Sequence, residues 1–378
     1  MSRLAGWIRA RSNGCSAVRR VAFNGKFCAG AMNGVHRVAG RLIREIDALI
    51  GERPSADDPA FDLIVPAGCT GRLPLRNVRT IEDDRPASQM WEQFRLPQLA
   101  RGAVLVNLAN LSPVLHPRKV TMLHDAQFCR ADSSYPWRQR LGYRLLTPLM
   151  ARTSVRVLTV SAYSAGELKA RGILDNTRCI VLPNGADHIL DHDADPDVLA
   201  RLGLIARGYV LMFGSAKAYK NNRVVFDAFA RGGLARWRLV VVGPDRATLE
   251  RAGLHPPEGT VFAGACDDAA LRALYEGAHA LLFPSLTEGF GLPPVEAMAC
   301  ACPVVVAPCG AVPEVCGPAA LHAAPDDPGA WVRQIHVLAD PVRRAGVVDA
   351  GIVRARGYTW ARAARTLLAD LRDLASHG

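Results

Sequence analysis

No stretch of this chain stays apolar over the roughly 18 residues that a membrane-spanning helix needs. No transmembrane helix is therefore expected. Residues 1–20 are rich in arginine but lack the continuous apolar core of a secretory signal, so the expectation is a cytoplasmic protein. The ten cysteines never form C-x-x-C. Cys300 and Cys302 are too close for a zinc knuckle, and no histidine pair at ligand spacing accompanies them. Buried, reduced thiols are expected, not disulfides or a metal site. Interleaved aromatic and basic residues, zinc-finger spacing, helix-turn-helix and RNP patterns are also absent, so no nucleic-acid partner is expected.

What is present is enough for two ordinary domains: 378 residues, 49% hydrophobic and 21% charged. The charge is uneven. Lys and Arg minus Asp and Glu give 27 − 14 = +13 over residues 1–185 and 19 − 21 = −2 over residues 186–378. The basic first half suits an anionic membrane surface or a phosphate-bearing acceptor. A solvated basic surface is the plainer alternative.

Along the chain, short apolar runs alternate with helical patterns, the signature of a doubly wound parallel α/β sheet. In the first half the strand runs fall within residues 18–27, 62–66, 103–108, 119–123, 155–160 and near Ile180. A helix with a buried face at Val35, Val38, Leu42, Ile43, Ile46 and Ile50 follows the glycine-bearing loop that ends at Gly34. His36 and Arg37 lie in its first turn, placed to reach a ligand or to be solvated. His124 and Asp125 follow the fourth run at a strand's carboxyl end, where doubly wound sheets bind ligands. Residues 135–152 read as a helix bearing Arg138, Arg140, Arg144 and Arg152 with Leu141, Leu145, Leu146 and Leu149, bent or interrupted at Pro148. It would dock on a bilayer interface or turn its leucines inward.

Residues 187–197 are acid-rich. Asp191, Asp193, Asp195 and Asp197 have the spacing of a calcium loop, but Pro196 replaces its glycine and Leu202 its final glutamate. A solvated linker is expected. A second α/β unit has strand runs at residues 209–213, 239–242, 260–262, 280–283 and 303–307, with helices at 222–230, 269–277 and 294–301. An irregular stretch then precedes an amphipathic helix over residues 360–374. Expected boundaries are 1–185 for the first domain, 186–208 for the link, 209–358 for the second domain, and 359–378 for a helix returning to the first.

The stretch with most chemistry is Pro284-Ser-Leu-Thr-Glu-Gly-Phe-Gly-Leu-Pro-Pro-Val-Glu296. A strand, a glycine loop and a proline-started helix present free N–H groups to an anion. Glu288 and Glu296 beside them can accept bonds from hydroxyls, so phosphate and polyol together point to a sugar nucleotide. Gly214, Ser215, Lys217 and Lys220 follow the second unit's first strand, where a diphosphate would sit.

With Phe213-Gly214, Lys220-Asn221, Val242-Gly-Pro244, Pro303-Val-Val-Val306 and Pro313-Glu-Val315, this E-x7-E stretch resembles the retaining, nucleotide-sugar-dependent glycosyltransferases of family 4. Asn33-Gly-Val-His-Arg37, Leu123-His-Asp125, Thr159-Val-Ser161 and Pro183-Asn-Gly-Ala-Asp187 look like that family's bacterial polysaccharide branch. The resemblance implies the GT-B fold, two facing Rossmann-like domains with a cleft between them. It implies that Glu288 binds donor-sugar hydroxyls and Glu296 the ribose. The N–H groups of Phe290, Gly291 and Leu292 would cradle sugar or diphosphate, and Lys220 would neutralise phosphate. His124 would lie near the anomeric carbon, and Gly34 would let the first loop approach the diphosphate. An arginine usual after the strand-end glycine is replaced by Ser215; Lys217 and Arg223 are the candidates to stand in.

By the same resemblance the enzyme is a metal-independent hexosyltransferase with no cofactor beyond its donor, GDP-mannose being favoured and a UDP-sugar the alternative. The acceptor would be a glycan or a polyprenyl-diphosphate-linked saccharide, met at the inner face of the cytoplasmic membrane. Two rival readings share the fold: a sugar-nucleotide-binding subunit without transfer activity, and a sugar-nucleotide 2-epimerase.

Overall fold

The computed structural model describes residues 20–31, 33–52, 54, 58–129, 137–174 and 179–376, the side chains of 137–139 excepted. The arginine-rich start of the chain and the Arg138 side chain lie outside the described residues. Among the described residues, thirteen parallel strands form two sheets. The first holds β1 (Arg20–Asn24), β2 (Ala60–Val65), β3 (Arg79–Glu82), β4 (Val104–Asn107), β5 (Lys119–Met122), β6 (Arg156–Thr159) and β7 (Cys179–Val181). The second holds β8 (Tyr209–Phe213), β9 (Arg238–Val242), β10 (Val261–Gly264), β11 (Ala280–Phe283), β12 (Val304–Val306) and β13 (Leu321–His322).

The orders are β3-β2-β1-β4-β5-β6-β7 and β10-β9-β8-β11-β12-β13. Counted from its own first strand, each sheet therefore runs 3-2-1-4-5-6, with a seventh strand added at the end of the first. The central strands are buried on both faces, as parallel sheets covered by helices must be. The order reverses between β1 and β4 and between β8 and β11, so each sheet opens a crevice beyond those strand ends. The loops after β1, β5, β8 and β11 are the ones carrying the glycine, histidine and glutamate motifs.

Local chemistry explains the elements that bound these crevices. Asn33 starts the Gly34–Glu52 helix by accepting the His36 N–H at 3.0 Å. The helix then buries Val38, Leu42, Ile43, Ile46 and Ile50. The carboxylate of Asp47, buried in that helix, accepts N–H groups of Arg76, Asn77 and Val78 at 2.6 to 3.1 Å and so delivers the chain into β3. The Trp360–Ser376 helix packs on the Gly34–Glu52 helix. It is tied to the first unit by Arg372 to Asp58 at 2.6 Å and by Arg156 to Asp370 at 3.1 Å.

Several expectations change. Residues 341–355 are not irregular but form the Pro341–Ala355 helix, capped by Asp340 and packed against the Leu292–Ala299 helix. Its exposed Val342 and Val353 blur the amphipathic pattern. The Trp137–Arg152 helix runs through Pro148 without interruption. Its leucines do not turn inward: Leu141, Leu145 and Leu149 are 51%, 62% and 47% exposed, while Met150 and Ala151 are buried. β3 and β13 were not anticipated, one being a polar edge strand and the other only two residues long. The acid-rich stretch is solvated only in part, since His188 and Ile189 in its Asp187–Leu190 turn are buried.

Candidate active site

The loop after β11 is held on three sides. Leu286 N–H donates to the Tyr219 carbonyl at 2.8 Å, joining this loop to the one after β8. The Glu288 carbonyl accepts from Ala311 N–H at 3.1 Å. Gly310, at φ +64°, lies so close that a Cβ there would stand 2.6 Å from the Glu288 nitrogen. On the third side Gly289 rests on the first unit. A Cβ at this position would overlap the His124 carbonyl. The Gly289 carbonyl accepts hydroxyl hydrogens from Ser161 at 2.6 Å and Ser164 at 3.1 Å. This loop is therefore a contact between the two units as well as part of the crevice beyond β8 and β11.

Within that frame Lys220 Nζ meets Glu288 Oε1 at 2.6 Å, both side chains largely buried. The ammonium also lies 5.4 Å from the Phe283 ring centre and 5.5 Å from that of Tyr219. Gly291, at φ +90°, turns the chain into the Leu292–Ala299 helix. Pro293 and Pro294 remove two of the first-turn N–H groups. Among the described residues no protein acceptor meets the N–H of Phe290 or Gly291.

His124 follows β5 and is buried, with Nε2 2.9 Å from the Leu108 carbonyl. That acceptor places the proton on Nε2. Burial lowers the imidazole pKa from 6.5 to about 4, so the ring is neutral near pH 7. Its backbone N–H donates to Asn110 Oδ1 at 2.9 Å. Asp125, next in the chain, faces the same crevice. Burial first, and then the charge of Glu288, raises its pKa, while Lys217 and Lys220 oppose the shift.

Glu296 sits deeper. Tyr275 donates its hydroxyl to Oε2 at 3.1 Å, and His188 Nε2 lies 3.1 Å from Oε1. Trp360 Nε1–H donates to His188 Nδ1 at 3.0 Å, which leaves the imidazole proton on the nitrogen facing Glu296. The carboxylate thus joins the Leu292–Ala299 helix to the crossing between the two units.

Glu288, Lys220, Phe290, Gly291, Leu292 and His124 are gathered at one crevice. Gly34 borders open space, for a Cβ there would touch nothing within 4 Å. Gly214 has a packing reason instead, because a Cβ would stand 2.6 Å from Val241 Cγ1. Ser215 N–H donates to Asn222 Oδ1 at 2.6 Å. Of the two candidates for the missing arginine, Arg223 is turned to the Gly253 carbonyl at 3.2 Å, whereas Lys217 acts on Asp125. Among the described residues no group of three His, Cys, Asp or Glu side chains is placed to hold a metal ion.

Sequence reading missed three further groups. Glu314 accepts the N–H groups of Ala162 and Tyr163, each at 2.8 Å, and so caps a helix of the opposite unit. Asp268 accepts both 2.7 and 2.9 Å bonds from Arg37 Nη1, again across the joint. Gly310 supports Glu288. Partners so distant in the chain leave no local spacing to detect.

The sequence profile of the family "Glycosyl transferases group 1" matches residues 207–340. The O-antigen chain mannosyltransferase RfbU of Salmonella typhimurium is 43% identical over 326 residues, 80% of this chain and 86% of that protein. The chain is a group 1 glycosyltransferase. A second relative, O-antigen chain mannosyltransferase B of Escherichia coli, is 29% identical over 256 residues, 64% of this glycosyltransferase and 67% of that protein. Sucrose-phosphate synthase from Thermosynechococcus elongatus superposes with a TM-score of 0.73 at 18% identity, covering 95% of this chain and all of the other. Anabaena HepE, in complex with UDP-glucose, gives 0.67 at 17%, covering 93% and 98%. The fold of the glycosyltransferase is GT-B, two Rossmann-like units facing one another.

Proposed function

We propose that this enzyme moves a mannosyl residue from a nucleotide-diphosphate sugar to a lipid-linked saccharide in the assembly of a cell-surface polysaccharide. GDP-mannose is the favoured donor and a UDP-sugar the alternative. Transfer proceeds with retention of anomeric configuration and needs no metal ion. The observation that carries this reading is the Lys220–Glu288 pair, held at the glycine loop directly against His124 and Asp125 of the opposite unit. The likeness to RfbU supports mannose and an O-antigen type of acceptor.

The pair has a simple use. Without ligand, each charge satisfies the other. An entering diphosphate competes for the Lys220 ammonium, and Glu288 is released to accept hydrogen bonds from sugar hydroxyls. Lys217 and the free N–H groups of Phe290 and Gly291 add to the stabilisation of the departing phosphate. His124, being neutral, can exchange a hydrogen bond with the sugar without placing positive charge beside an oxocarbenium-like carbon. With no separate nucleophile assigned, attack is front-face, assisted by the leaving phosphate.

Exposed Leu141, Leu145 and Leu149 alternate with arginines along the Trp137–Arg152 helix. That face suits the headgroup region of an anionic bilayer, where a lipid-linked acceptor would be met.

Thermal-shift binding against GDP-, UDP-, dTDP- and ADP-sugars tests the reading, followed by transfer assays with the best donor. GDP-mannose should stabilise most, transfer should persist in EDTA, and the new linkage should be α. Stabilisation by none of these at millimolar concentration would sink it. Loss of activity in EDTA, restored by manganese, would refute metal independence.

A further inference from the structure

Beside the joint between the two units is a cavity of about 430 Å³, apart from the Glu288–Lys220 crevice. Arg37, Arg41 and Arg44 reach it from the Gly34–Glu52 helix at i, i+4 and i+7 spacing, and Arg72 reaches it from the loop after β2. One lining carboxylate, Asp268, faces these four guanidinium groups. Asp268 takes two bonds from Arg37 and lies 3.6 Å from Arg41, which also pairs with Asp191. Arg72 meets only the Cys28 carbonyl, at 3.1 Å, and Arg44 meets no carboxylate within ion-pair distance among the described residues. Charge at the cavity is therefore well short of neutral.

The floor is also shaped for a guest. Gly40 lies in the middle of the helix, where glycine costs about 1 kcal/mol relative to alanine. Packing does not demand it, since a Cβ there would make ordinary contacts with Leu73 at 3.7 Å and Phe27 at 3.9 Å. What the missing methyl does is widen the cavity between the arginines. Phe27 and Leu73 form an apolar wall beside the cationic one.

We propose that this cavity holds the diphosphate of the lipid-linked acceptor, with Arg44 and Arg72 gripping its oxygens and Arg37 and Arg41 passing to it from Asp268. The inference rests on the transferase reading given above. Guanidinium forks match phosphate oxygens two at a time, and the apolar wall suits the first isoprenoid carbons. Because Asp268 belongs to the donor unit, filling the cavity releases one tie between the units.

The test is a calorimetric titration of the full chain, its donor site saturated with GDP, using inorganic pyrophosphate and, separately, farnesyl diphosphate. Both should bind, farnesyl diphosphate the tighter. R44A/R72A should weaken both at least tenfold while GDP binding is unchanged, and D268N should tighten both about threefold. Pyrophosphate binding that GDP abolishes, or that R44A/R72A leaves unaltered, overturns the proposal. Tighter binding of pyrophosphate than of farnesyl diphosphate overturns the assignment to a lipid-linked group. A failure of the transferase reading would appear separately, as absence of nucleotide binding and transfer in the unsubstituted protein.

Discussion

At Glu288 a carboxylate in a glycine loop faces a lysine, and at Glu296 a carboxylate in a helix faces a tyrosine and a histidine. The two should respond differently to the same change. On the proposed role of Glu288, Glu288→Gln removes the group that donor binding would release, and kcat should fall on the order of 100-fold with a small change in nucleotide affinity. Glu296→Gln should weaken nucleotide affinity more than turnover. Equal effects on nucleotide binding, with turnover of bound donor intact, would undo the division. His124 gives a pH signature. The unfolded chain accepts a proton at this residue near pH 6.5, but the folded chain resists it until about pH 4. Its contribution, at most about 3 kcal/mol, is present above pH 6.5 and lost as pH falls toward 4. Urea midpoints at pH 7.5 and 5.0 should therefore fall further apart for the natural protein than for His124→Asn. Equal differences would show that burial of this imidazole does not govern the acid limb.

Elements carry the next set of consequences. The Trp137–Arg152 helix presents Leu141, Leu145 and Leu149 outward between basic residues, and these leucines are exposed. Leu145→Glu with Leu149→Glu should abolish flotation with phosphatidylglycerol vesicles and leave stability within about 0.5 kcal/mol, because exposed positions contribute little to folding. Flotation unchanged by the double substitution would remove this helix from any membrane role. Its existence and its arginines were legible from residue order. Which side of it faced outward was not, since leucines at 141, 145, 146 and 149 wrap too much of the helix to name a buried face. The Pro341–Ala355 helix was illegible for the related reason that its apolar residues are shared between packing and solvent.

The whole molecule is organised by how its two units meet. Gly289 on Ser161 and Ser164, Glu314 on the N–H groups of Ala162 and Tyr163, and Arg37 on Asp268 are among the polar contacts of that meeting. They lie along the joint between the units, so their loss would let the units separate. Glu314→Ala removes two charge-assisted bonds of about 1.5 to 3 kcal/mol each at most. It should raise the donor KM several-fold and increase the radius of gyration measured by small-angle scattering. An unchanged radius and KM together would mean that this contact does not hold the units closed.

Order along the chain determined the strands of both sheets except β3 and β13, located the glycine loop, and brought Glu288, Lys220 and His124 forward as candidate site residues. Each of these rests on a short-range pattern: apolar runs of strand length, glycines where the backbone must turn, and a carboxylate pair at fixed spacing. Tertiary structure alone decided which charged and polar groups meet. Lys220 and Glu288 are 68 positions apart, Arg37 and Asp268 are 231 apart, and Ser161 and Gly289 are 128 apart. No periodicity spans such distances. They are set by the packing of two sheets, which brings the ends of β5 and β11 together and makes one site from two halves of the chain.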